Sequence, residues 1–284
     1  MKLLVVGAAG QLGATFAGAA GHEVIGVTRA DVDVTRHDAV IDTVGQIRPD
    51  VVVNCTAYNN VDGAEGDAAT ALAVNAFAVR SLAAASARVG ATLVHYSTDF
   101  VFDGEASEPY TEDDRTRPVS VYGCSKLLGE WFAQDAPRWY VLRVESLFGG
   151  PQARSSVDKI VAALRGGTPA PVFADRVVTP SYVADVRDAT LALLARGVPS
   201  GVFHCVNSGQ GTWADIGEHV AAVIGADPSL LVRTSVKDVR LAAQRPVYCA
   251  LSNAKLTAAV GEPMRPWQDA LERYLRAADE RVAG

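Results

Sequence analysis

Lys2-Leu3-Leu4-Val5-Val6-Gly7-Ala8-Ala9-Gly10-Gln11-Leu12-Gly13 is the stretch that decides the fold. Its apolar half reads as a parallel strand buried on both faces. It passes directly into Gly-x-x-Gly-x-x-Gly, in which glycines permit a tight turn and let backbone N–H groups approach a pyrophosphate at a helix N-terminus. The spacing differs from the Gly-x-Gly-x-x-Gly of older dinucleotide fingerprints, and its weight comes from the strand before it and the helix predicted after Gly13.

Outward from this stretch, further strands are predicted at Glu23–Thr28, Asp50–Cys55, Thr92–Tyr96 and Trp139–Val144. Helical periodicity covers Val40–Ile47, Gly63–Arg88 and a segment after Pro118 that carries Tyr122 and Lys126. Alternation of the two patterns predicts an α/β fold with a doubly wound parallel Rossmann sheet over residues 1–150. From Gly149-Gly150-Pro151 onward the elements shorten, so residues 151–284 are read mainly as a smaller α/β substrate-binding region. Segments near 177–206 are expected to return to the first domain. Within this half, helices are predicted at Val183–Ala195 and Trp213–Ile224 and a strand at Gly201–Val206. A last helix places Trp267, Leu271, Tyr274, Leu275 and Ala278 on one face.

Composition narrows the class. A net charge of −6 and the lack of any Lys/Arg block argue against a nucleic-acid binder. Cys55, Cys124, Cys205 and Cys249 show no metal-like spacing and no disulfide framework. The N-terminus shows no signal-peptide pattern, and no apolar run reaches the roughly 20 residues needed to cross a bilayer. The expectation is a soluble cytoplasmic protein with no membrane partner and no bound metal.

The candidate cofactor residues follow the strand ends. Gly7, Gly10, Gln11, Leu12 and Gly13 form the phosphate turn. Arg29 stands where ribose specificity is usually set, and an arginine there suits a 2′-phosphate. This favours NADP(H), while Asp31 and Asp33 leave NAD(H) open; Asp33 and Val34 belong to the same adenosine edge. Cys55, Thr56, Ala57 and Tyr58 end the third strand, where open sheets bind ligands. Asn75 lies on the apolar stripe of its helix, and a buried amide needs partners, so it is expected to tie neighbouring backbone together beside the cofactor. Ser97 and Thr98 offer hydroxyls at the end of the fourth strand, whereas His95, His204 and His219 read as structural. Tyr122 and Lys126, four residues apart, share one helix face. An ammonium beside a phenol favours phenolate, which makes the pair a proton donor suited to carbonyl reduction.

Together these motifs resemble the extended short-chain dehydrogenase/reductases, and within them the dTDP-4-dehydrorhamnose reductase family. The resemblance is carried by Gly7–Gly13, Arg48-Pro49-Asp50-Val51-Val52-Val53-Asn54, Ala57-Tyr58 before Val61-Asp62 and Ala64-Glu65, and Val74-Asn75-Ala76. It continues in Ser97-Thr98-Asp99-Phe100-Val101-Phe102-Asp103-Gly104, Pro109-Tyr110-Thr111-Glu112, Val121-Tyr122-Gly123 with Ser125-Lys126, Thr179–Asp185 and Arg245-Pro246. It implies hydride transfer from NAD(P)H to C4 of a nucleotide-linked 4-keto-6-deoxy sugar. Thr98, Tyr122 and Lys126 are then the catalytic set: Tyr122 protonates the alkoxide, Lys126 holds the nicotinamide ribose and depresses the tyrosine pKa, and Thr98 bonds the carbonyl oxygen. Asp99, Phe100 and Ser146 are the implied substrate contacts, and a homodimer is possible. Ser146 replaces a tryptophan common in the family, and Tyr248-Cys249 replaces an Asn-Ser pair, both towards the sugar. Two further readings are an epimerase or dehydratase of the same superfamily, and a non-catalytic subunit like the β subunit of methionine adenosyltransferase.

Overall fold

Leu3, Leu4 and Val5 are fully buried, and alternate residues of their strand enter two different cores: Leu3 and Val5 one, Leu4 and Val6 the other. That is the condition for a parallel sheet covered on both faces. The computed structural model describes residues 1–283, with side chains described to Asp279. β1 (Lys2–Val6), β2 (Glu23–Val27), β3 (Val51–Asn54), β4 (Thr92–Thr98) and β5 (Arg138–Val144) join the strand Gly201–His204 in one parallel sheet. Its order runs from Gly201–His204 through β5, β4, β3 and β1 to β2. The chain reverses direction across the sheet between β1 and β3, so a ligand crevice opens at their carboxyl ends.

One face is covered by the helices His37–Ile47 and Ala78–Val89, whose Val40, Val44, Val79 and Leu82 share a core with β1 and β3. The other is covered by Val183–Arg196 and Ala254–Val260, which contribute Val183, Val186, Leu193, Leu256 and Val260. A separate core joins the helices Ser156–Arg165, Trp213–Ile224 and Trp267–Ala283 around the parallel strands Ala170–Phe173 and Leu231–Thr234. Capping boxes at Ser155–Asp158 and Thr212–Asp215 start the first two of these helices. Tyr182 packs against both cores.

Three local expectations fail. The helix after Gly13 is a single 3-10 turn, Gly13–Phe16. The short connection to β2 contains Gly18 and Gly21 at φ of 75° and 78°, a left-handed backbone incompatible with continuing a helix. The pattern Gly63–Arg88 is broken: Val61–Gly66 ends at Asp67, whose side chain caps Ala68–Leu72, and a π-turn at Ala73–Phe77 precedes Ala78–Val89. Finally, the 22-residue helical run Ala68–Val89 is long and apolar enough to cross a bilayer by length and composition. Half of it is buried, and Val79, Leu82 and Ala83 spend its apolar face in the core of the sheet.

Candidate active site

A cavity of about 720 Å³ opens at the β1–β3 reversal. Gly7, Gly10, Arg29, Asp33, Val34, Cys55, Thr56, Ala57 and Tyr58 line it. The turn that forms its floor depends on glycine: Gly7 has φ of 86°, and a Cβ on Gly13 would stand 2.3 Å from the Gly7 carbonyl oxygen. Gly7 and Ala8 donate to Val27 O, and Gly10 donates to Gly7 O at 2.9 Å. Among the described residues no bond within the turn uses the amide of Gln11 or Leu12. The Gln11 side chain donates to the carbonyls of Leu147 and Gly149, at 3.3 and 3.0 Å, joining the turn to the segment after β5. Leu12 is buried in the core, and Gly13 supplies close packing, so neither side position faces the cavity.

At the adenosine end, both nearby carboxylates are committed to local turns. Asp31 accepts from Thr28 N and Oγ1, both at 2.8 Å; Asp33 accepts from Thr35 N at 3.0 Å and Oγ1 at 2.7 Å. These bonds hold both carboxyls below the usual range. Arg29 is exposed at the cavity edge.

The candidate reacting side chains come from β4 and the helix Val121–Ala133. Ser120 caps that helix by accepting from Gly123 N at 3.1 Å. Gly123 lets it press on the strand end, since a Cβ there would lie 2.3 Å from Phe100 O. Lys126 is buried and donates to Tyr96 O at 2.5 Å. Burial brings its ammonium down to about 8, against the opposing pull of Glu130. Tyr122 lies edge-on to Phe100, with ring centroids 5.5 Å apart.

Here the expected electrostatics reverse. Burial first, then the Asp99 carboxylate, pushes the Tyr122 phenol up to about 12, and only a Thr98 side-chain hydrogen bond pulls it down. Lys126 does not depress it, because its ammonium is directed to the Tyr96 carbonyl. Thr98 also differs from expectation. Its hydroxyl donates to Asp99 Oδ1 at 2.9 Å and accepts from Phe100 N at 3.2 Å. Its single hydrogen is held by Asp99, with the Tyr122 oxygen as the competing acceptor.

The remaining candidates are placed as follows. Ser97 donates its hydroxyl hydrogen to the buried Glu130 Oε1 at 2.5 Å. Asn75, fully buried, accepts from Tyr58 N at 2.8 Å and donates to Tyr58 O and Ser125 Oγ, both at 3.0 Å. It fixes the Tyr58 backbone against the catalytic helix and does not line the cavity. Ser146 is half-buried at φ of 44° just past β5. The guanidinium groups of Arg176 and Arg245 lie over the Phe100 ring, 5.3 and 5.7 Å from its centroid.

Two groups escaped the sequence reading. Arg176 sits among the buried side chains of Asp99, Glu145 and Cys249, whose oxygen and sulfur atoms lie within 4.8 Å of one another. The trio has the residue types of a cation site, but the Arg176 guanidinium already supplies positive charge there, 3.8 Å from Asp99 Oδ2. Their signal in the sequence was the departure from the family pattern around Ser146 and Cys249. A second cavity of about 240 Å³ adjoins this group, lined by Lys159, Phe173, Arg176 and Trp213 among others.

A nucleotide crevice on a Rossmann sheet, with a tyrosine and a buried lysine one helical turn apart beside it, defines an extended short-chain dehydrogenase/reductase. The chain belongs to the family described as RmlD substrate binding domain, whose model matches residues 1–280. It is 37% identical to a dTDP-4-dehydrorhamnose reductase of Mycobacterium tuberculosis, over 97% of this chain and 93% of that protein. It is 36% identical to a probable dTDP-4,6-dihydroxy-2-methyloxan-3-one 4-ketoreductase of Streptomyces antibioticus, over 95% and 93%. Among solved structures, the dTDP-4-dehydrorhamnose reductase of Bacillus anthracis in complex with NADP superposes with a TM-score of 0.93 at 28% identity, covering 97% of this chain and 99% of that one.

Proposed function

We propose that this protein reduces the C4 keto group of a dTDP-linked 4-keto-6-deoxy sugar with NADPH, as its relatives' names describe. The observation that carries the reading is a dinucleotide-sized crevice at the β1–β3 reversal, with Lys126 close to its lining residue Cys55 and Thr98 close to Tyr122. NADPH supplies the hydride when bound. The crevice residues fit it: the Gln11 and Leu12 amides suit the pyrophosphate, and Arg29 suits a 2′-phosphate. Asp31 and Asp33, tied to their threonines, are poorly placed to select a free 2′-hydroxyl.

Tyr122, protonated across the neutral range, is the acid that delivers a proton to the new alkoxide. Lys126, buried on the same helix face, holds the nicotinamide ribose. Thr98 steadies the oxygen on which negative charge grows. The second cavity, with Lys159, Arg176 and Trp213, suits the nucleotide diphosphate and its base.

Tyr122→Phe tests this assignment. The variant should lose turnover by about a hundredfold or more while NADPH binding, followed by fluorescence titration, stays within a factor of about two. Near-normal turnover would remove Tyr122 as the acid.

A further inference from the structure

The catalytic threonine cannot serve the substrate in the state described above. Its only hydrogen is given to Asp99 Oδ1. Whether it can turn to the reacting oxygen depends on the charge of Asp99, and Asp99 does not act alone. Glu145, at the end of β5, is 2% exposed, and its Oε2 accepts from both the amide and the hydroxyl of Thr179. Its other oxygen, Oε1, is buried without a hydrogen-bond partner, and so is Asp99 Oδ2. Both orphaned oxygens belong to carboxyl groups that approach within 4.8 Å. Two buried carboxylates this close do not both ionise readily, and one proton held on either carboxyl removes the repulsion between them.

We propose that Glu145 is a positioning residue: it keeps one proton on the Asp99–Glu145 pair and, through Asp99, frees the Thr98 hydroxyl to donate to the substrate oxygen. With one proton on the pair, its single negative charge is balanced by Arg176, and the pull of Asp99 on the Thr98 hydrogen weakens. With that proton lost, a second buried charge stands beside Tyr122 and the hydrogen of Thr98 stays on Asp99. The proton remains on the pair throughout turnover; the proton consumed by the alkoxide is that of Tyr122.

The other groups facing the pair are consistent with this. Burial raises both carboxyls, Glu145 the more, and each feels the other's charge or that of Arg176. The Cys249 thiol faces Asp99 and is held neutral by burial. Tyr122 and Tyr248 are both raised, chiefly by burial. Arg245 repels Arg176 but is itself paired with Asp62 at 2.7 Å. Lys126 is brought down to about 8 by burial, with Glu130 and Cys55 as its charge neighbours and neither carboxyl of the pair among them.

The step through Thr98 rests on the reductase reading, whereas the shared proton does not, so two measurements are needed. The first is the infrared carbonyl band of a protonated carboxylic acid, in wild type minus Glu145→Gln, across neutral pH. The expected result is a band in wild type that is missing from the variant; no such band overturns the proposal whether or not the protein turns over. The second is the pH profile of kcat for NADPH oxidation with a dTDP-4-keto-6-deoxy sugar. Glutamine is an uncharged match for protonated glutamate: its oxygen can accept from Thr179 and its amide can donate to Asp99. Glu145→Gln should therefore keep kcat within about threefold of the wild-type plateau and lose the alkaline limb, of about tenfold per pH unit, that loss of the pair's proton puts on the wild-type profile. Identical pH profiles in the two proteins would overturn the Thr98 step. A wild-type protein that binds NADPH but turns over nothing would count against the reductase reading and the Thr98 step with it, leaving the infrared band to decide the shared proton.

Discussion

Removing the carboxylate of Glu130 should unfold the protein more readily than any change on its surface. Glu130 and Arg143 form a doubly hydrogen-bonded pair, Nε to Oε1 at 2.9 Å and Nη2 to Oε2 at 2.8 Å, with both side chains at most 4% exposed. Ser97 adds a third bond to Oε1, and the guanidinium lies 5.0 Å from the Phe102 ring centroid. The group thus ties the catalytic helix to β4 and β5 beneath the reacting residues. Glu130→Ala leaves Arg143 buried and uncompensated, which costs about 3–5 kcal/mol. Glu130→Leu combined with Arg143→Met replaces the pair by apolar volume and should recover most of that loss. Urea unfolding of Glu130→Leu, Arg143→Met and the double gives the coupling directly. Single-variant losses below about 1 kcal/mol would refute the argument, since that is the scale of an exposed pair. A second readout comes with it: Glu130 supports the charge on Lys126, so Glu130→Ala should move the Lys126 limb of the pH–rate profile to lower pH.

Arg29→Ala should raise KM for NADPH by about tenfold while changing KM for NADH little, the loss of a charge-assisted contact to the 2′-phosphate; equal effects on both cofactors would make Arg29 an ordinary surface charge. Stability should also carry the mark of Glu145. Its folded-state pKa is raised, so the folded chain binds a proton that the unfolded chain releases, and its contribution is present at low pH and falls as pH rises above the ordinary carboxylate range. The midpoint of thermal unfolding for Glu145→Gln should therefore gain on wild type as pH rises above the ordinary carboxylate range, and parallel curves would contradict the raised pKa.

How much of this was legible in the sequence depended on how local the cause was. β1, the crevice residues Cys55 to Tyr58 and the helix Trp213–Ile224 follow from apolar period and strand ends, both of which a linear reading contains. The missing helix after Gly13 was also written locally, in the left-handed Gly18 and Gly21 and a connection too short for a crossover helix. The π-turn at Ala73–Phe77 was not, because it arises where Asn75 is drawn to the Tyr58 backbone and Ser125 from distant parts of the chain. Long-range electrostatics were the least readable. The four-residue spacing of Tyr122 and Lys126 shows that they share a face, but the direction of the ammonium is set by the Tyr96 carbonyl, and the phenol's pKa by burial and Asp99. The Asp99–Glu145–Arg176–Cys249 group draws on four separated segments and appears only once the sheet has assembled them.

The central claim is the reaction itself. Following NADPH absorbance with dTDP-, GDP- and UDP-linked 4-keto-6-deoxy sugars tests it most directly. The structure predicts stoichiometric NADPH oxidation with a dTDP-linked 4-keto sugar and a C4 hydroxyl in the product. Intact NADPH binding with no oxidation on any member of the panel would contradict it.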